Sequence, residues 1–136
     1  MLFGKKHVER YRATDGEEGH DWQGTTTLLL TTTGRHSGEE RIAPLIYQRF
    51  GDDYLVVASD GGSDTHPGWY LNLEADRQVA VQVKDDRFAA RARDAAAGEK
   101  PDMWRTMTAA WPPYDDYQKR TERPIPVVVL QRTESD

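Results

Sequence analysis

Apolar positions recur along the chain with two periods, and the switches between them mark its elements. In residues 1–22, Val8 and Tyr11, with Leu2 or Phe3, share one helical face before Asp15-Gly16-Glu17-Glu18-Gly19 breaks the pattern. This predicts a helical or flexible arm running into an exposed loop. Thr25–Thr33 is rich in threonine and leucine and reads as a strand; Leu28, Leu29 and Leu30 are consecutive, so both of its faces should be covered. Residues 42–50 form a second strand, with Pro44 implying an edge or a bulge because proline cannot donate to a ladder. After a tight turn at Gly51-Asp52-Asp53, residues 54–59 return as a third, and links this short predict an antiparallel meander.

Further on, Asp60 to His66 is a loop with two glycines, and Pro67 suits the start of a helix that carries Trp69, Tyr70, Leu71 and Leu73. Residues 79–83 and 88–93 alternate as strands on either side of a turn at Asp85-Asp86. Residues 100–111 repeat apolar side chains at helical spacing through Met103, Trp104 and Met107, with Trp104 expected in the core, and Pro112-Pro113 stops them. Residues 114–123 read as a short helix or turn, and 127–130 as a final strand before a polar tail. The sum is one domain over residues 1–136, with 1–22 as its arm. It is a mainly β, α+β fold: a small antiparallel barrel of about six strands with two to four helices at one end.

Composition narrows the function classes. A chain of 136 residues that is 37% hydrophobic and 30% charged has the size and balance of one globular domain. Its apolar runs are far shorter than the ~20 residues of a membrane-spanning helix, and the N-terminus lacks the apolar core of a signal peptide. The expected setting is cytosolic, with peripheral membrane contact left open. A net charge of −5 argues against nonspecific nucleic-acid binding, and the absence of cysteine removes disulfides, thiolate metal sites and a cysteine nucleophile. The four histidines have no metal-ligand spacing, so no metal is expected.

Candidate chemistry gathers in three places. The turn Gly34-Arg35-His36-Ser37-Gly38, followed by Arg41, sets cations and a hydroxyl around a bend whose amides can cradle a phosphate. Taken alone it reads more readily as a solvated hairpin in which Glu39 and Glu40 neutralise the arginines. Ser59-Asp60-Gly61-Gly62 could let a flat ligand approach the backbone, or could be an ordinary loop. Tyr114 and Tyr117 are three apart, so both can project from one face into a pocket. With no nucleophile and no paired carboxylates in view, an enzyme built on these residues would borrow its chemistry from a cofactor.

Three blocks, LLLTTTGRHSGEERIAPLIY, VVASDGGSDTHPGWYLNL and WPPYDDYQKRTERPIPVVVL, closely resemble the deazaflavin-dependent nitroreductase family of actinobacteria, in the same order and spacing. The resemblance implies a split β-barrel that binds coenzyme F420 and passes hydride to a quinone, a nitroaromatic compound or a similar acceptor. It also makes a homodimer plausible. An FMN-binding oxidoreductase on the same barrel and a non-catalytic F420 carrier are the alternatives. By the same resemblance, Arg35, His36, Ser37 and Arg41 would hold the coenzyme's anionic tail, and Ile42, Ala43 and Pro44 would line its cleft. Ala58, Ser59 and Asp60, with Gly68, Trp69, Tyr70 and Asn72, would border the deazaflavin. Ile46, Trp69, Trp111, Tyr114 and Tyr117 would shape the acceptor pocket, with Ser59, Tyr114 and Tyr117 as the groups touching the reacting acceptor. Two positions depart from the pattern: His36 and Asp60 stand where the family usually has cations, which implies weaker coenzyme binding carried mainly by Arg35 and Arg41.

Overall fold

The computed structural model describes residues 2–133. Helix α1 (Gly4–Ala13) leads into the stub β1 (Asp21–Trp22) and the long strand β2 (Thr25–Thr33). Then follow β3 (Glu40–Ile46), β4 (Gln48–Phe50) and β5 (Asp53–Val57), a 3-10 turn at Asp60–Gly62, and α2 (Gly68–Ala75). The chain continues as β6 (Gln78–Val83), β7 (Asp86–Asp94), α3 (Lys100–Ala110), α4 (Pro113–Lys119) and β8 (Val127–Arg132).

Every pairing is antiparallel, in the order β1-β2-β6-β7-β8-β5-β4, with β3 on the free side of β2. The expected single strand over 42–50 is therefore two. The break falls at Tyr47, whose side chain turns inward and meets His20 Nε2 at 2.8 Å, while its amide bonds the Thr26 carbonyl at 3.1 Å. The meander is corrected with it: β3 pairs only with β2 and β4 only with β5, and no ladder joins β3 to β5 among the described residues. The sheet curls until one bent strand, β3 and β4 together, bridges its two ends. The result is a split barrel whose seam lies between β3 and β5. Pro44 sits on β3 opposite Leu29 of β2, at the edge its missing N–H suggests.

Period-2 alternation builds two cores from the same strands. Tyr54 and Val56 of β5, with Val128 and Leu130 of β8, join Leu28 and Leu30 inside the barrel. Their neighbours Leu55, Val57, Val127 and Val129 face outward and are roofed by Met103 and Met107 of α3 and Tyr114 of α4. Trp104 packs against this second core as expected, and its indole N–H donates to Asp115 at 2.8 Å.

The arm is helical with Tyr11 on its buried face, as expected, but its other face residue and its loop differ. Its buried helical face is His7 and Tyr11, whereas Phe3 is 59% exposed. The following loop is tied down: Gly16 (φ +80) lies so close to the Lys84 backbone that a Cβ would approach Lys84 Cα to 2.6 Å. Tyr11 Oη accepts from the Lys84 amide at 2.8 Å and donates to the Thr27 carbonyl at 3.0 Å, stapling the arm to β2 and to the β6–β7 turn.

Candidate active site

The seam between β3 and β5 opens into a cleft of ≈410 Å³. Pro44, Leu45 and Ile46 form one wall, and Val57, Ser59 and Asp60 the other. Across the mouth stand Trp111, Tyr114 and Tyr117, with Trp69 and Pro67 at the far side. A second cleft of ≈330 Å³ is lined by Gly34 to Ser37, Arg41, Ile42, Ala43, Gly68 and Asn72, and it shares Trp69 with the first. The two adjoin at Trp69: an aromatic, largely apolar chamber on one side and a cationic turn on the other.

The turn is prearranged by hydrogen bonds that its sequence does not announce. The Gly38 amide bonds the Gly34 carbonyl at 2.8 Å, and the Glu39 amide bonds Ser37 Oγ at 3.1 Å. Asn72 Oδ1 accepts from the Arg35 amide at 3.1 Å and from Arg35 Nη1 at 2.8 Å, while Asn72 Nδ2 donates to Thr32 Oγ1 at 3.1 Å. Buried Asn72 thus spends both ends of its amide fixing Arg35 and β2. Among the described residues, the amides of His36 and Ser37 donate to no protein group and are open to an anion. Arg41 pairs with Glu39 at 3.3 Å on the surface, as the hairpin reading proposed, while His36 and Arg35 remain exposed.

The chamber's polar groups come from three elements. Ser59 Oγ and Tyr114 Oη have no protein partner among the described residues, although both residues are buried. Burial, and secondarily the neighbouring Tyr117 phenol, pushes the Tyr114 phenol well above its ordinary value. Tyr114 therefore keeps its proton near neutrality: it is a hydrogen-bond donor and a poor acid. Tyr117 Oη accepts from Trp111 Nε1 at 3.5 Å. Helix α4 can hold Tyr117 here because Gly62 passes so close that a Cβ would lie 2.7 Å from the Tyr117 carbonyl oxygen.

Most of the sequence-derived site residues converge on these two clefts. Two do not reach either wall. Ala58 is fully buried in the barrel core because it alternates with Val57 along the strand. Tyr70 is also in the core, its hydroxyl bonded to Asp94 at 2.7 Å and its ring 4.6 Å from His66. Asn72 lines the second cleft but acts as the pin of the turn. Sequence reasoning missed the arm: Phe3, His7 and Trp22 close the chamber, together with Thr27. The signal for His7 was its i, i+4 spacing with Tyr11 on one helical face. It also missed Arg123, whose guanidinium donates to the carbonyls of Ser59 at 2.7 Å, Ser63 at 2.6 Å and Ala58 at 3.3 Å and to His66 Nδ1 at 3.1 Å. No spacing pattern marks an arginine in a polar run for that task.

The chain is thus a split antiparallel barrel with an aromatic seam adjoining a cationic glycine turn. The sequence profile described as F420H(2)-dependent quinone reductase matches residues 3–132, and the chain belongs to that family. It is 43% identical over 131 residues to an F420H(2)-dependent quinone reductase of Mycobacterium tuberculosis, covering 93% of this chain and 87% of that one. Among solved structures, one described as an F420-H2 dependent reductase is 39% identical, covers 77% of this chain and 93% of its own, and superposes with a TM-score of 0.72. Another, described as a domain-swapped dimer, is 36% identical, with coverage of 93% and 96% and a TM-score of 0.75. The resemblance read from the three sequence blocks is thereby borne out, as is the split-barrel fold.

Proposed function

We propose that this protein reduces quinones, and nitroaromatic compounds of similar shape, with reduced F420. The observation that carries the reading is that the two clefts share Trp69: one would take a flat ring beside an acceptor, the other an anionic tail. The residues present suit that coenzyme. Arg35 and the free amides of His36 and Ser37 would take a phosphate, with Arg41 exchanging its surface partner Glu39 for the same anion. Ile42, Ala43, Pro44 and Trp69 would border the path of the ring. Bound reduced F420 supplies the hydride. Ser59, Tyr114 and Tyr117 would orient the acceptor oxygen by hydrogen bonding, and Ile46 and Trp111 would flank its ring.

A homodimer is part of this reading, supported by the dimeric neighbour, and light scattering on a sizing column tests it. The functional test titrates the protein with reduced F420 and, separately, reduced FMN, adds menadione to each and follows coenzyme oxidation. Oxidation of F420 alone is expected. Oxidation of FMN alone, or binding of F420 without turnover on any quinone or nitro acceptor, overturns the proposal. If Tyr114→Phe and Tyr117→Phe both reduce menadione at the wild-type rate, the acceptor assignment is wrong.

A further inference from the structure

His7 is 3% exposed and lines the chamber from the arm. Its Nε2 lies 2.8 Å from the Gly19 carbonyl, which can only accept, so Nε2 carries a hydrogen. Thr27 Oγ1 donates to the same carbonyl at 2.6 Å. The seat is specific: Gly19 has φ +107, and a Cβ there would crowd His7 Cδ2 at 3.0 Å. Trp22 stacks on the ring at 6.3 Å and 25°. Nδ1 has no protein partner among the described residues, yet it does not belong to the fully enclosed, unpaired polar atoms. The residue that carries it lines the chamber.

Reducing a quinone needs a proton as well as a hydride. We propose that His7 is a catalytic residue of the reduction: Nδ1 hydrogen-bonds the acceptor's oxygen and delivers the proton that completes the quinol. The inference rests on the quinone-reduction reading above. In the step, the C–H bond of the reduced coenzyme breaks and its hydrogen bonds to the acceptor with the electron pair. Negative charge develops on an acceptor oxygen, the Nδ1–H bond of the imidazolium breaks, and that oxygen takes the proton. Solvent then reprotonates the ring and receives the proton shed by the oxidised coenzyme, so reduced coenzyme and quinone become oxidised coenzyme and quinol.

The hydrogen bond reverses its polarity with the redox state. A quinone only accepts and pairs with protonated His7; a quinol donates and pairs with neutral His7. Among the described residues, the groups the ring touches are uncharged: Tyr11 on the same helix, Gly19 in the following loop, Trp22 on β1 and Thr27 on β2. The chamber's other titratable side chains are Asp60, Tyr114 and Tyr117. His20 and His66 are turned to Tyr47 and Arg123, and His36 lies on the second cleft.

The test measures menadione binding by equilibrium dialysis to protein saturated with oxidised F420, where no turnover occurs. Wild type should bind menadione roughly tenfold more tightly at pH 6 than at pH 8, the scale of a charge-assisted hydrogen bond. His7→Gln, whose amide can keep the Gly19 contact, should lose that dependence. In wild type with ring-labelled histidine, menadione should shift the Nδ1 resonance of His7 more than its Nε2 resonance, which keeps the proposal testable if the variant misfolds. Binding that ignores pH, equal pH dependence in His7→Gln, or an unmoved His7 Nδ1 signal overturns it. Wild-type failure to oxidise reduced F420 with menadione would instead sink the functional reading itself.

Discussion

Asn72→Ala is the sharpest probe of how the cationic turn is built. The native amide is 5% exposed and makes three hydrogen bonds, two to Arg35 and one to Thr32 Oγ1. Each is worth about 0.5–1.5 kcal/mol net, and the Arg35 guanidinium can recover most of its own loss in solvent because it is exposed. Thr32 cannot, since it is 1% exposed. The loss should therefore be about 2–3 kcal/mol, and a chain of this size would lower its melting temperature by roughly 6–12 °C. A freed Arg35 must also be ordered again on binding, at about 0.5–1.5 kcal/mol, weakening F420 by roughly two- to tenfold. Asn72→Asp keeps the acceptor facing Arg35, and the Thr32 hydroxyl can rotate to donate. It should remain within about 1 kcal/mol of wild type. Urea unfolding measures both variants, and F420 titration measures the turn. A loss below about 0.5 kcal/mol in Asn72→Ala, or equal losses in the two variants, would refute the idea that this amide pins the turn.

Two further perturbations separate causes elsewhere in the fold. Gly61 and Gly62 both have positive φ, but only Gly62 lies against the Tyr117 backbone. Gly61→Ala should cost about 1–2 kcal/mol from the left-handed backbone alone, while Gly62→Ala should cost more and raise KM for menadione by displacing α4; equal costs and unchanged KM would refute the close-approach argument. Tyr11 is pushed by burial from the usual 10.0 to about 12, so its contribution is complete below pH 10 and lost as pH rises through about 12, because the unfolded phenol ionises first. Tyr11→Phe should flatten that alkaline loss in urea midpoints measured from pH 8 to 11, with Tyr47, Tyr70 and Tyr114, also raised, leaving a residual slope.

The strands were legible because alternation is a local property. Val127 to Leu130 can be continuously apolar because even positions enter the barrel and odd ones meet α3 and α4. The break at Tyr47 was not legible, since Ile46, Tyr47 and Gln48 suit a strand. What ends it is a distant hydrogen bond to His20. The same limit hid the seam, because a short link between strands implies pairing only if the strand does not bend away. At the site, Tyr114 and Tyr117 were found by spacing and Arg35 by its glycine turn. Asn72 lay inside a recognised block, but its role as a pin depends on contacts 37 and 40 residues away in sequence. Ala58 and Tyr70 sit in the same blocks yet face inward, because alternation along β5 and rotation around α2 choose the face.

The two departures from the family's cation pattern fall at different places, and the structure treats them differently. Asp60 lines the chamber and does not line the cleft proposed for the tail, so its lost cation bears on the ring's surroundings. There Arg123 brings a positive charge from behind, bonded to the carbonyls of Ala58, Ser59 and Ser63 with no carboxylate partner among the described residues. Arg120 Nη1 adds a contact to the Gly61 carbonyl at 3.3 Å. These guanidiniums hold the loop and offset Asp60 without occupying the chamber. At His36 the missing cation is met by geometry: Arg35 is already ordered by Asn72, and two amides stand free beside it. The surface pair of Arg41 and Glu39 is worth about 0–1 kcal/mol, so exchanging it for a phosphate costs little. On the proposed reading, a fixed guanidinium and open amides would lose less entropy on binding than flexible surface lysines, and a chain of net charge −5 would need fewer cations to hold an anionic tail.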